Sequence, residues 1–115
     1  MISLKHINIA FDRVVFDDAS VIFCSGHVNY LIGESGSGKT TLLNQLGLLS
    51  QSHCEYFFDD IQVNQLSIEE KAKVRREKIG YVFQESNLIE GLSVYEHIKF
   101  IANFSGYDIT HDEIC

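Results

Sequence analysis

The chain contains no proline, only three cysteines, and fewer basic than acidic residues. No repeat or low-complexity stretch appears, so nothing marks a linker between domains. Cys24, Cys54 and Cys115 are odd in number, far apart and without a C-x-x-C pair. That excludes a zinc signature and a paired disulfide framework, and it fits a reducing compartment. Nine lysines and arginines against sixteen aspartates and glutamates give a net charge of -7. A nucleic-acid binder normally shows the opposite sign, so no nucleic-acid partner is expected. No run approaches the roughly 18–20 apolar residues of a membrane span. The first ten residues alternate like a strand and lack the continuous apolar core of a signal peptide. The expected location is cytoplasmic, with any membrane role supplied through a partner.

What remains is ordinary globular composition, with 45% hydrophobic and 22% charged residues in 115 positions. That is one domain at most, with a modest core. Residues 2–11 read as a strand with Ile7, Ile9 and Phe11 on one face. A turn at Asp12-Arg13 leads to a short apolar return at Val14–Phe16, then to a second strand at 20–23. Val28–Ile32 is a continuous apolar run, as a strand buried on both faces requires. Thr40–Leu49 has helical spacing at Leu42, Leu43, Leu46 and Leu49, and Glu55–Phe58 has strand character. Ser67 with Glu70 and Ser93 with Glu96 form capping boxes that open two helices, the second ended by Gly106. The first is short and highly charged, which by itself predicts a solvated face. Between them Tyr81–Phe83 resumes strand character. Thr110-His111-Asp112-Glu113 reads as the start of one more helix with two residues left to build it, the pattern of a truncated domain.

Gly33-Glu34-Ser35-Gly36-Ser37-Gly38-Lys39-Thr40 matches G-x-x-x-x-G-K-[ST], the phosphate-binding loop. Glycines let the loop turn its amides inward without Cβ atoms blocking the phosphates. The helix that starts near Lys39 adds its N-terminal amides and the positive end of its dipole. Lys39 would neutralise β- and γ-phosphate oxygens, and the Thr40 hydroxyl would ligate Mg²⁺. Thr41, one residue deeper, would donate to the α-phosphate. A Gly/Ser linker can match the motif by chance, but a buried-type strand before it and an amphipathic helix after it supply the required context. After the loop, the candidate metal-holding aspartate is Asp59 in Tyr56-Phe57-Phe58-Asp59-Asp60, but its apolar run is short and a surface strand ending in a turn explains it better.

Several segments together resemble the ATP-binding subunit of an ABC transporter. Gly33 to Asn44 is similar to that family's Walker A segment, and Arg75 to Gln84 to the stretch ending in its Q-loop glutamine. Leu92 to Ile98 resembles the helix start that follows, and Met1 to Phe11 the first strand. The resemblance covers essentially the whole chain. It implies an α/β fold, in which a P-loop NTPase core sheet carries an antiparallel β subdomain and the beginning of a helical one. It also implies ATP and Mg²⁺ as cofactors, Phe11 stacked on adenine, and Gln84 reaching Mg²⁺ and the attacking water. A transmembrane permease subunit and a second ATP-binding subunit are the implied partners. Localisation would be peripheral at the inner face of the membrane. The 67–78 helix looks like that of exporters and lipoprotein-release systems. Where Cys54 and Asp60 stand the family usually has glycine, and near Glu90 a proline; these departures touch turns rather than the nucleotide site.

Residues 1–115 would thus form a partial ABC-type domain, with Walker A and Q-loop present. The signature loop, Walker B strand, catalytic glutamate and switch histidine are absent from the sequence. The family hydrolyses ATP, whereas a chain without that half is expected to be inactive alone. Two alternatives stand beside this one: a nucleotide-binding module without catalysis, and a small P-loop kinase or GTPase using Asp59. The guanine-reading Asn-Lys-x-Asp motif of a GTPase is missing, and a small kinase needs neither Phe11 nor Gln84.

Overall fold

The computed structural model describes residues 1–10, 14–51, 54–85 and 87–107. Phe11, Cys115 and the capping pattern at 110–113 lie outside the described residues. The chain divides into two compact units, Met1–Ala72 and Lys73–Cys115.

The first unit is organised by an antiparallel sheet in the order β2-β1-β3-β4. Its strands are β1 (Ile2–Ala10), β2 (Val14–Phe23), β3 (Glu55–Phe58) and β4 (Ile61–Gln62). β1 is central and pairs Leu4 with Val21 on one side and with Tyr56 on the other. Its apolar pattern changes parity between Leu4 and Ile7, yet all of Leu4, Ile7 and Ile9 are buried. A strand puts successive side chains on opposite faces, so an extra residue must be absorbed between them. His6, with φ 55, absorbs it, and the register with β2 shifts there. Asp18 opposite is left-handed as well, at φ 48. The irregularity is stitched by polar groups: His6 Nδ1 lies 2.7 Å from an Asp18 carboxylate oxygen, and the Asp18 amide donates to Asn8 Oδ1 at 3.0 Å. This bulge also lets one continuous strand run over 14–23, where the sequence pattern suggested two pieces.

Helix α1 (Lys39–Leu46) packs on this sheet. Leu42 joins Leu4, Ile7, Ile9, Cys54, Tyr56 and Val63 in the core. The helix stops three residues earlier than its leucine spacing predicts. Gly47 caps it by donating to Leu43 O at 2.8 Å, and Leu48 then turns left-handed at φ 54. Tyr56 is fully buried and its hydroxyl donates to Leu46 O at 2.8 Å, tying β3 to the end of α1. Burial, reinforced by the charge of Cys54, pushes the Tyr56 phenol up to about 12. A short 3-10 helix, Val63–Gln65, follows β4 and brings Asn64 Oδ1 within 3.2 Å of the Tyr56 amide.

Helix α2 (Ile68–Lys78) buries none of its residues, as its charge pattern predicts. The expected box closes it, with the Ser67 amide donating to a Glu70 carboxylate oxygen at 2.8 Å and the Glu70 amide to Ser67 Oγ at 3.2 Å. Those bonds hold the Glu70 carboxyl below its ordinary range, the backbone contribution first.

In the second unit, helix α3 (Val94–Ser105) has Ser93 as N-cap and Gly106, at φ 82, as C-cap. The Glu96 amide donates to Ser93 Oγ, and Glu96 Oε2 accepts from both the Ser93 amide and hydroxyl at 2.7 Å. The Ser93 side chain, then its amide, then the charge of His97 hold the Glu96 carboxyl low.

Two expected strands are not part of a sheet among the described residues. Val28, Tyr30 and Ile32 are 78%, 83% and 90% exposed, and Val82 is 95% exposed. Apolar continuity describes what such a segment is suited to, but a strand exists only where a neighbour completes its hydrogen bonds. Tyr81 and Phe83 instead bring their rings together, with centroids 4.6 Å apart.

Candidate functional site

Residues 33–38 form a loop that bends tightly and runs straight into α1 at Lys39. The Ser37 amide donates to Glu34 O at 3.2 Å, closing the turn. Gly38 is the helix N-cap in the left-handed conformation, φ 86 and ψ 6, and no side chain caps the helix. A Cβ on Gly38 would stand 2.3 Å from Val15 Cγ1 and 2.8 Å from Phe16 Cε2. The loop is thus seated directly on β2, and only glycine satisfies both its backbone angle and this approach. At Gly33 a Cβ would meet Ser37 Oγ at 2.6 Å, so this end of the loop is also drawn close to itself.

Lys39 is half-buried and folds back over the loop. Its ammonium donates to Gly33 O at 2.7 Å and Glu34 O at 2.6 Å, and lies 3.4 Å from Ser37 Oγ. A single positive charge is therefore held at the mouth of the loop by two carbonyls and a hydroxyl. The first turn of α1 carries no acidic residue. Its leading amides, from Lys39 to Thr41, have no carbonyl one turn behind them within the helix. The Leu42 amide is the first to close on the loop, donating to Gly38 O at 2.9 Å. Positive dipole end, uncapped amides and a lysine converge here. The chemistry of this donor set fits a polyphosphate, and the exposed Thr40 hydroxyl fits a hard cation beside it.

The remaining sequence candidates lie outside the loop in sequence. Gln84 is exposed, in a bend after Phe83 in the second unit. Asp59 occupies the turn between β3 and β4 at φ 50, and its carboxylate receives the Met1 ammonium. That is the setting of a hairpin turn with a structural partner. Among the described residues no group of three or more His, Cys, Asp and Glu side chains is placed to hold a metal ion. No helix there is long and apolar enough to cross a membrane. Sequence reasoning did not single out Val15 and Phe16, whose side chains make Gly38 indispensable, or Tyr56, which anchors the far end of α1. The only available signal was the short apolar return at 14–16, and its contact with the loop is set by tertiary packing.

Glycine-rich loop, following helix and antiparallel sheet together place the chain in the P-loop class of proteins. Residues 16–114 match the model of the ABC transporter family, and the chain belongs to that family. It is 41% identical over 112 residues to the macrolide export ATP-binding/permease protein MacB of Campylobacter jejuni, covering 95% of this chain and 17% of that protein. The Burkholderia thailandensis protein of the same name is 38% identical over 96 residues, 83% of this chain and 15% of the other. Among solved structures, the dimeric ABC transporter cassette MJ0796 superposes with a TM-score of 0.83 at 32% identity. That alignment covers 99% of this chain and 52% of the cassette, so the fold is the α/β fold of an ABC cassette in part. The organism of the corresponding sequence, an uncharacterised ABC transporter ATP-binding protein, is Methanocaldococcus jannaschii. A second structure of that cassette, in a post-hydrolysis state, is bound to ADP and Pi with a TM-score of 0.81. The chain thus spans about half the length of the cassette and about a sixth of the MacB relative.

Proposed function

We propose that this chain binds Mg²⁺-ATP through residues 33–41, as part of an ABC-type ATPase that energises transport across a membrane. The observation that carries the reading is the Lys39 ammonium held over a loop whose helix has no side-chain cap. The roles follow from chemistry. Amides from Gly33 through Gly38 and the first turn of α1 bind phosphate oxygens, with Glu34, Ser35 and Ser37 shaping the loop. Lys39 exchanges its carbonyl partners for β- and γ-phosphate oxygens, which are better acceptors for an ammonium. Thr41 donates to the α-phosphate. Mg²⁺ would be held at the Thr40 hydroxyl, a hard oxygen ligand. When bound, the ion would neutralise charge on the terminal phosphates. Phe11 supplies an aromatic face for adenine.

The domain reading is of a partial ATP-binding domain over residues 1–115, carrying Walker A and Q-loop segments. Its partners would be a permease and a second ATP-binding subunit, placing it at the cytoplasmic face of a membrane through that permease. The relatives support this assignment, since MacB is named as an export ATP-binding/permease protein and the cassette structure is dimeric and binds ADP and Pi in one state. Asp59 is given no role in this reading, its carboxylate facing the Met1 ammonium. The test is a calorimetric titration of the chain with Mg²⁺-ATP, alongside Lys39→Ala. Saturable binding lost in the variant supports the proposal; equal binding by both proteins overturns it.

A further inference from the structure

His97 lies one turn into α3 and uses both ring nitrogens. Nδ1 is 3.0 Å from Ser93 O, and Nε2 is 2.7 Å from the backbone amide of Ile89. A carbonyl can only accept and an amide N–H can only donate, so Nδ1 must carry the proton and Nε2 the lone pair. A single tautomer of the neutral imidazole meets both demands. Ile89 sits in the stretch 87–92, which precedes the Ser93 cap and forms neither helix nor strand. Its carbonyl is also used, accepting the Leu92 amide at 3.3 Å. The ring therefore fastens this irregular stretch to the first turn of α3.

We infer that His97 is a charge-gated clamp: neutral, it holds residues 87–92 on the start of α3, and protonated, it releases them. An imidazolium presents N–H on both sides, and the bond from Ile89 then becomes a repulsive contact between two donors. On α3 the neighbouring charge is Glu96, whose carboxylate is held low in part by the charge of His97 and therefore favours the imidazolium. In the stretch itself Glu90 is the titratable side chain, and it makes no ion pair with His97 among the described residues. Protonation thus removes the Ile89 bond while strengthening the attraction to Glu96, so the clamp opens as pH falls. His97 acts as a positioning residue for the segment joining the Gln84 region to α3. This inference does not rest on the nucleotide proposal.

The experiment is amide hydrogen exchange at Ile89, followed by NMR and corrected for intrinsic rates, on the full chain from roughly pH 8 to pH 5. Protection at Ile89 is expected to fall roughly fivefold to tenfold as the pH is lowered, the worth of one hydrogen bond. His97→Ala should lack that protection at every pH, and His97→Gln, which cannot titrate, should show no pH step. A flat profile in the unmodified chain, full protection in His97→Ala, or a step retained in His97→Gln would overturn the clamp. Should either variant fail to fold, the imidazole ¹⁵N shifts of the unmodified chain decide instead. A protonated Nδ1 with a bare Nε2 at high pH supports the clamp, and the opposite tautomer refutes it.

Discussion

Replacing Gly38 by alanine challenges the loop at the point where backbone angle and packing coincide. The left-handed angle, φ 86, penalises any Cβ, by roughly 1–2 kcal/mol. The new methyl would also stand 2.3 Å from Val15 and 2.8 Å from Phe16, both on β2. Neither contact is with the far end of a flexible chain, so the strand or the loop must shift, at a further cost of roughly 1–3 kcal/mol. Together these give roughly 2–5 kcal/mol, a large share of the 5–15 kcal/mol typical of a whole domain. Gly26 provides the control, since it too is left-handed, at φ 73, but a Cβ there meets nothing within 4 Å. Gly26→Ala should therefore lose only the backbone part. Urea denaturation of the three proteins, compared by midpoint at constant slope, reads the difference directly. A loss at Gly38 no greater than that at Gly26 would refute the close seating of the loop on β2. So would Gly38→Ala remaining within about 0.5 kcal/mol of the parent, the range of an unremarkable surface change.

Tyr56→Phe removes the hydroxyl bond to Leu46 O and leaves a carbonyl short of a partner, costing roughly 1–3 kcal/mol by the same denaturation assay. The phenol is raised from 10.0 to about 12 by burial and Cys54, so the fold favours its neutral form. Its contribution is whole below pH 10.0 and is lost as pH climbs towards about 12; the phenylalanine variant should lack that alkaline decline. At the other end of the scale, Glu70 and Glu96 are held below the ordinary value of 4.5 by their capping serines. Their contribution is present above that value and fades as pH falls through the lowered one, so helicity measured by circular dichroism should drop in acid. Ser93→Ala removes the N-cap of α3 and should weaken the helix by about 1 kcal/mol, seen as faster exchange of its first-turn amides.

Features encoded within a few adjacent residues were legible in the sequence. Both capping boxes close as Ser67-Glu70 and Ser93-Glu96 predict, β3 spans Glu55–Phe58, and the loop meets α1 at Lys39. Ile7 and Ile9 face the core together, as their spacing requires. Features set by contacts between distant residues were not. The His6–Asp18 irregularity reverses the parity of β1 and buries Leu4, but it depends on Asp18 and Asn8 meeting across two strands. Gly47 and Leu48 shorten α1 through a left-handed turn that leucine spacing cannot register. Val28, Tyr30, Ile32 and Val82 belong to segments with the composition of buried strands and stand exposed, because a strand's partners are supplied from elsewhere. In the candidate loop, the junction with α1 at Lys39 was legible in the motif. Its seat against Val15 and Phe16 was not, and Phe11 falls outside the described residues.

The most direct test of ATP binding at this loop is site-resolved. Amide resonances of the chain are recorded during titration with Mg²⁺-ATP, and again with Lys39→Ala. The account predicts that the amides of Gly36 through Thr41 shift first and saturate together, and that the variant shows no such response at the same concentrations. Shifts centred elsewhere in the chain, or an undiminished response in Lys39→Ala, would contradict it.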